Sequence, residues 1–267
     1  MEALWITLAV LGSLCVLLCM LYLLVLIRPR RAKGMDRLLV DYAHRGLFDG
    51  AIPENSLPAF DAAAREGFGI ELDVQLSRDG EVMVFHDATL VRMTGDERKL
   101  SELTVAELKE LRLQGGEERI PTFREVLALV DGRVPLLVEL KGENYDTSLC
   151  PKVAALLREY RGPYCVESFN PLLLRGIGRE LPEVPRGLLY TNVCRDKKRR
   201  SLLNLALTGM LLNVLASPSF IAYNKKDRDS FPVRITTRWF RAPRFVWTVQ
   251  AEDARVEGEC NIFERHF

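Results

Sequence analysis

Eight short β-rich runs separated by longer helical patterns, a length of 267 residues and an unbroken apolar stretch near the start together predict an α/β protein. The fold class expected is a TIM-type (β/α)8 barrel behind an N-terminal transmembrane helix, because repeated βα units build a parallel sheet and a barrel of this kind takes about 250 residues. No room is left for a second large domain. The chain therefore divides into a membrane anchor with a basic linker over residues 1–37 and a barrel domain over residues 38–267.

The apolar stretch comes first. Residues 3–27 are apolar except for Thr7, Gly12 and Ser13, and as a helix rising 1.5 Å per residue they span about 37 Å, enough to cross a hydrocarbon core with some tilt. A cleaved signal peptide fits less well. The chain opens with Met1-Glu2 rather than basic residues, the apolar run is too long, and Arg28-Pro29-Arg30-Arg31 offers no small-residue cleavage site. Arg28, Arg30, Arg31, Lys33 and Arg37 follow the span, so the positive-inside rule places the barrel on the cytoplasmic side of a single-pass membrane protein.

The expected strands are 39–44, 69–74, 82–86, 135–141, 164–169, 187–191, 220–223 and 245–249. Leu136-Leu137-Val138 is continuously apolar, as befits a strand covered on both faces. Ser101 and Thr104 ahead of Val105, and Pro121-Thr122-Phe123-Arg124-Glu125, read as helix starts. Residues 201–216, behind the basic run Lys197-Lys198-Arg199-Arg200, read as one barrel helix. It is either plainly buried or pressed with its basic start and exposed leucines on the anionic inner leaflet; Asn204, Asn213 and its length argue against a second span.

Composition narrows the function classes. Lys plus Arg at 37 against Asp plus Glu at 36 leaves a net charge of +1, so no nucleic-acid partner is called for. The six cysteines include no C-x-x-C pair, and they signal neither a zinc site nor a disulfide framework. Cys15 and Cys19 fall in the span; the rest read as small apolar filler in a reducing compartment.

In such a barrel the chemistry gathers at the C-terminal ends of the strands. His44 closes the first expected strand, Glu71 and Asp73 lie on the second, His86 ends the third, and Glu139 with Lys141 ends the fourth. Glu71 and Asp73 are two residues apart and share one face of their strand. An isolated E-x-D is more often the wet face of an edge strand, but the flanking motifs reverse that preference. With Glu139 they form a hard-oxygen set without cysteine, which favours Mg2+ or Ca2+ over zinc. Two of the three histidines fall in this short region, and their pKa suits one to accept a proton and the other to give one. His266, beside the C-terminus, is read as incidental. The planar fork of Arg45 suits a phosphate, on which Lys141 would act as a point charge.

Ala43-His44-Arg45-Gly46, Pro53-Glu54-Asn55-Ser56-Leu57-Pro58-Ala59-Phe60, Glu71-Leu72-Asp73 and Val84-Phe85-His86-Asp87 together resemble the glycerophosphodiester phosphodiesterase family. Ile120-Pro121-Thr122, Ser168-Phe169, Trp247-Thr248-Val249 and Asn261-Ile262-Phe263-Glu264 extend the resemblance less specifically, over roughly residues 39–264. The resemblance implies metal-dependent hydrolysis of glycerophosphodiesters to glycerol 3-phosphate and an alcohol, as in phospholipid metabolism. It implies acid/base roles for His44 and His86, metal ligation by Glu71, Asp73 and Glu139, and phosphate contact by Arg45. Glu54 and Asn55 would serve the metal and the substrate hydroxyls, although a Pro-Glu-Asn loop is also an ordinary helix start. Trp247 either lines the substrate pocket or belongs to the core. Gln250 stands where the family carries asparagine, a departure expected to touch the barrel mouth more than the chemistry. The alternatives are a lysophospholipase D acting on lysophospholipids and a non-catalytic lipid-binding membrane protein; the complete set of acid/base and metal residues argues against the second.

Overall fold

The computed structural model of the protein describes residues 1–142 and 145–264, so the expectation for His266 falls outside the described residues. Among the described residues nine strands run in chain order: β1 (Tyr42–Ala43), β2 (Gly69–Leu76), β3 (Val82–Val84), β4 (Leu136–Leu140), β5 (Tyr164–Ser168), β6 (Arg186–Tyr190), β7 (Phe220–Asn224), β8 (Arg244–Val249) and β9 (Glu259–Phe263). Eight are parallel neighbours in the order β1, β2, β4, β5, β6, β7, β8, β9, and β9 pairs back onto β1 to close the barrel. Closure rests on two residues of β1, reinforced by Asp41, whose carboxylate accepts from the backbone and side-chain amides of Asn261 at 2.8 Å each.

One expected barrel strand is not one. The run 82–86 forms β3, which is antiparallel to β2 and lies outside the ring. The reason is length: five residues, 77–81, join β2 to β3, enough for a hairpin but not for the crossover of a dozen or more that a parallel neighbour needs. The eighth barrel strand is β9, reached from β8 through residues 250–258 without a helix. Nine residues extend up to about 30 Å, sufficient to return along one strand.

The helices are α1 (Glu2–Leu21), α2 (Leu57–Arg65), α3 (Val91–Thr94), α4 (Val105–Glu110), α5 (Phe123–Val130), α6 (Leu149–Glu159), α7 (Pro171–Glu180), α8 (Val193–Asp196), α9 (Leu202–Thr208), α10 (Asn213–Ala216) and α11 (Phe231–Arg234). Thr104 and Thr122 cap α4 and α5 through reciprocal bonds with Glu107 and Glu125, so the two sequence-read starts hold, the first at Thr104 rather than Ser101. Residues 201–216 form two short helices instead of one, broken where Met210 takes a left-handed conformation. The helix Glu2–Leu26 is long and apolar enough to cross a membrane and is not buried against the barrel over its apolar window.

One apolar layer lies between strands and outer helices; a second fills the lower barrel interior with Tyr42, Leu137, Cys165, Leu189, Phe220 and Phe245. Met35 and Leu38, in the turn that precedes β1, pack against that inner layer. Phe220 stacks at 4.4 Å on Phe245 and occupies the space that Gly187 leaves by having no side chain. Phe220→Ala would empty the lower barrel; a loss of about 3–5 kcal/mol in unfolding free energy is expected by chemical denaturation.

Candidate active site

The upper interior of the barrel is lined with carboxylates. Register places Asp73 beside Glu139 and Glu139 beside Glu167 on adjacent strands, with Glu71 one pleat below Asp73. All four are buried. Among the described residues, Glu71, Asp73 and Glu139 offer oxygens within 4.8 Å of one another, a group able to hold a metal ion. Lys141 Nζ lies 2.8 Å from Glu139 and 3.0 Å from Asp73, and Arg45 Nε lies 3.6 Å from Asp73.

These charges divide the carboxylates. Burial, then Asp73, Glu139 and Glu167, hold Glu71 well above the usual carboxylate range. Burial likewise raises Glu167, with Glu139 and Asp73 adding to it. Glu139 is pushed up to about 7 by burial, against the pull of Lys141. Burial also works against ionised Asp73, but Lys141, His86 and Arg45 outweigh it and hold its carboxyl well below the usual range. The barrel thus concentrates more acidic oxygens than its own cations neutralise, and Glu167 Oε2 is buried without a hydrogen-bond partner among the described residues. The donor set is all oxygen and fits a hard divalent cation.

Each histidine is held through Nδ1 by a carboxylate. His44 directly follows β1, its backbone amide donating to the Phe263 carbonyl; its Nδ1 lies 2.6 Å from Glu264 and its Nε2 3.9 Å from Glu71. The β2–β3 hairpin, not a barrel strand, delivers His86. Its Nδ1 lies 2.6 Å from Asp87, and the Gln75 amide donates to the carbonyls of Phe85, His86 and Asp87, fixing the turn over the site. With ionised partners on Nδ1, both rings keep Nε2 for other chemistry. Burial, with Lys141 and Arg45, lowers the His86 pKa despite the opposing pull of Asp73, so its neutral form is favoured.

Arg45 and Asn55 both take left-handed backbone conformations, at φ 57° and 53°, and strain of this kind persists where the surroundings over-determine it. Here the Asn55 amide donates to the Arg45 carbonyl, its side chain donates to Asp73 at 2.9 Å, and the Arg45 amide donates to Glu71 at 2.9 Å. The fork of Arg45 donates to Glu54 at 2.8 Å. Glu54 stands apart from the carboxylate triad, since Arg92 also grips it bidentately at 2.6 and 2.9 Å. Trp247 of β8 is edge-on to Phe169 at 5.5 Å, its indole donates to the Ala222 carbonyl, and it packs, half-buried, against the inner apolar layer.

Four contributors were not expected from the sequence. Glu167 occupies the same level in its strand as Glu139, and the signal for it is the alternation in Cys165-Val166-Glu167, which puts Cys165 and Glu167 on one face. Arg92 ties Glu54 to Asp87. Glu264 orients His44, and Gln250 donates to the other Glu264 oxygen at 2.9 Å. Gln250 therefore reaches a catalytic-candidate ring through one intermediary rather than merely shaping the mouth.

A cation on this triad must compete with protons, because raised carboxylates hold theirs to higher pH. Its affinity is expected to fall as pH drops through about 7, where Glu139 gains its proton, and Glu139→Gln should weaken binding with less remaining pH dependence. Calorimetric titration with Mg2+ and Ca2+ on either side of neutrality measures both effects.

The sequence profile of the glycerophosphoryl diester phosphodiesterase family matches residues 44–257. A glycerophosphodiester phosphodiesterase of Caldanaerobacter subterraneus subsp. tengcongensis is 37% identical over 159 residues, which span 55% of this chain and 65% of that protein. Human glycerophosphodiester phosphodiesterase 1 is 34% identical over 126 residues, covering 43% of this chain and 38% of the relative. Among solved structures, a phosphodiesterase of Oleispira antarctica in complex with the product sn-glycerol-3-phosphate superposes with a TM-score of 0.65 at 25% identity, over 80% of this chain and 85% of that one. A Thermotoga maritima glycerophosphodiester phosphodiesterase gives 0.59 at 28% identity, over 79% and 86%. The profile covers most of the barrel, from His44 through β8, so this chain belongs to the glycerophosphoryl diester phosphodiesterase family.

Proposed function

We propose that the chain hydrolyses glycerophosphodiesters to glycerol 3-phosphate and an alcohol. The observation that carries this reading is the pair of carboxylate-held imidazoles beside a buried carboxylate triad at the C-terminal end of the barrel. Glu71, Asp73 and Glu139 would hold the divalent cation, Mg2+ or Ca2+, which when bound withdraws charge from the phosphate oxygens. Glu54 serves that shell by holding Arg45 in place. Arg45 and Lys141 supply positive charge for the phosphate, Asn55, placed by its bond to Asp73, serves the substrate hydroxyls, and Trp247 bounds the pocket.

His86, favoured in its neutral form, is the group that takes the proton from the attacking oxygen at Nε2. His44, with Nε2 directed at the triad and Nδ1 anchored by Glu264, is the partner that gives a proton to the departing alkoxide. A lysophospholipid is the second substrate class, supported by the apolar helix standing beside the barrel.

The same reading makes residues 1–37 an anchor and linker and residues 38–267 the catalytic domain. The apolar helix is a single span, and the basic residues that follow it support a cytoplasmic barrel.

His44→Ala and His86→Ala are each expected to lower kcat about a hundred- to ten-thousandfold with the fold intact. Turnover of glycerophosphocholine with and without chelator, alongside circular dichroism, checks this; near wild-type rates in both variants would remove the acid/base assignment.

A reporter fused after Phe267 should be active only in its cytoplasmic form, and the chain should stay in the membrane through a high-salt wash, because an inserted span does not depend on screened surface charge. A soluble shorter chain beginning near Arg28 would show instead that the helix is a cleaved signal.

A further inference from the structure

The apolar helix is not hung from a loose tether. Behind it, the Arg30 amide donates to the Pro218 carbonyl, and the Arg30 guanidinium donates to the carbonyls of Pro182 and Val184 at 2.7 and 2.6 Å. These carbonyls precede β7 and β6, at the lower end of the barrel. Ile27 is fully buried, and its carbonyl accepts from Asn213 at 2.9 Å. Further up, the Tyr22 hydroxyl donates to the Gly209 carbonyl, and the Tyr22 ring stacks on Phe231 at 6.2 Å. Both partners belong to the upper end: Thr208, next to Gly209, accepts from the hydroxyl of Tyr190, the last residue of β6, and Phe231 follows the loop that leaves the top of β7.

Residues 30 to 22 thus climb one wall of the barrel from its lower end to its catalytic rim. The helix continues without a break from Tyr22 back through α1, and Leu18, Cys19 and Tyr22 line one groove with Phe231. None of the residues of α1 is buried. Its twenty residues, about 30 Å long, match a hydrocarbon core and stand beyond the rim that carries His44 and the carboxylates.

The rim beside that helix is built for the surface of a bilayer. Leu202 is 88% exposed and Phe231 64%, with Leu203 and Leu205 also exposed, and Lys197, Lys198, Arg199 and Arg200 stand exposed immediately before them. Exposed leucines and an aromatic beside a basic cluster match the apolar edge and negative charge of an anionic leaflet. We propose that the catalytic rim around α9 and Phe231 is a bilayer-docking face, held by the pinned helix so that the active-site mouth opens toward anionic lipid headgroups. This rests on reading Glu2–Leu26 as a membrane span.

The test uses the full chain with Cys15→Ala, Cys19→Ala and Cys194→Ala, reconstituted in vesicles of phosphatidylcholine and phosphatidylglycerol. A spin label is placed at Leu202→Cys on the rim or at Arg161→Cys, just before β5 at the opposite end. The label at 202 should lose most of its accessibility to a water-soluble relaxant and gain accessibility to oxygen, while the label at 161 stays open to water. Equal water accessibility at both positions, in a chain that resists carbonate extraction, would overturn the docking face and leave the anchor standing. Extraction of the chain by carbonate would overturn the anchor and the docking face together.

Discussion

Four carboxylates buried at one end of a parallel barrel are the constraint around which this molecule is arranged. Ionised groups in a water-poor interior are costly unless opposite charge is close, and among the described residues Lys141 and Arg45 are the lysine and arginine that reach Glu71, Asp73, Glu139 and Glu167. The protein responds unevenly: Asp73 receives the cations and the Asn55 amide, whereas Glu71, Glu139 and Glu167 are left drawn toward their protonated forms. A site with that surplus of oxygen and shortage of positive charge favours a divalent cation.

The surrounding structure keeps these groups from relaxing away from one another. The left-handed turns at Arg45 and Asn55 bring two backbone segments against β2, and their hydrogen bonds reach Glu71 and Asp73 directly. Arg92 joins Glu54 to Asp87, which steadies His86, while Gln250 and Glu264 steady His44 from β8 and β9, on the other side of β1 from β2. Both imidazoles are therefore oriented through Nδ1 by carboxylates that lie outside the central triad. Orientation by such partners fixes the tautomer as well as the angle of the ring.

The lower half of the barrel does different work. Its interior is apolar and aromatic, and Met35 and Leu38 of the turn before β1 pack against it. Residues 22–30 pin the apolar helix to the outer wall, so the orientation of that helix and that of the upper rim are mechanically one property. Packing around Ile27 and Tyr22 links them.

Most of the barrel and the central carboxylates were legible because they depend on local order. Two-residue spacing puts Glu71 and Asp73 on one face, unbroken apolar runs mark buried strands, and Thr-x-x-Glu marks helix starts. The hairpin nature of 82–86 is also written in its five-residue connection, which β-rich composition by itself does not reveal. Strand β9 was missed because no helix precedes it. What the sequence determined by itself is the set of chemical groups and their faces on individual strands. Which distant groups meet them was decided only by barrel closure: His44 and Glu264 are 220 residues apart, and their contact exists because β9 returns to pair with β1 in one particular register. No local pattern encodes such a pairing, since it is selected by the packing of the whole ring rather than by the preferences of either segment.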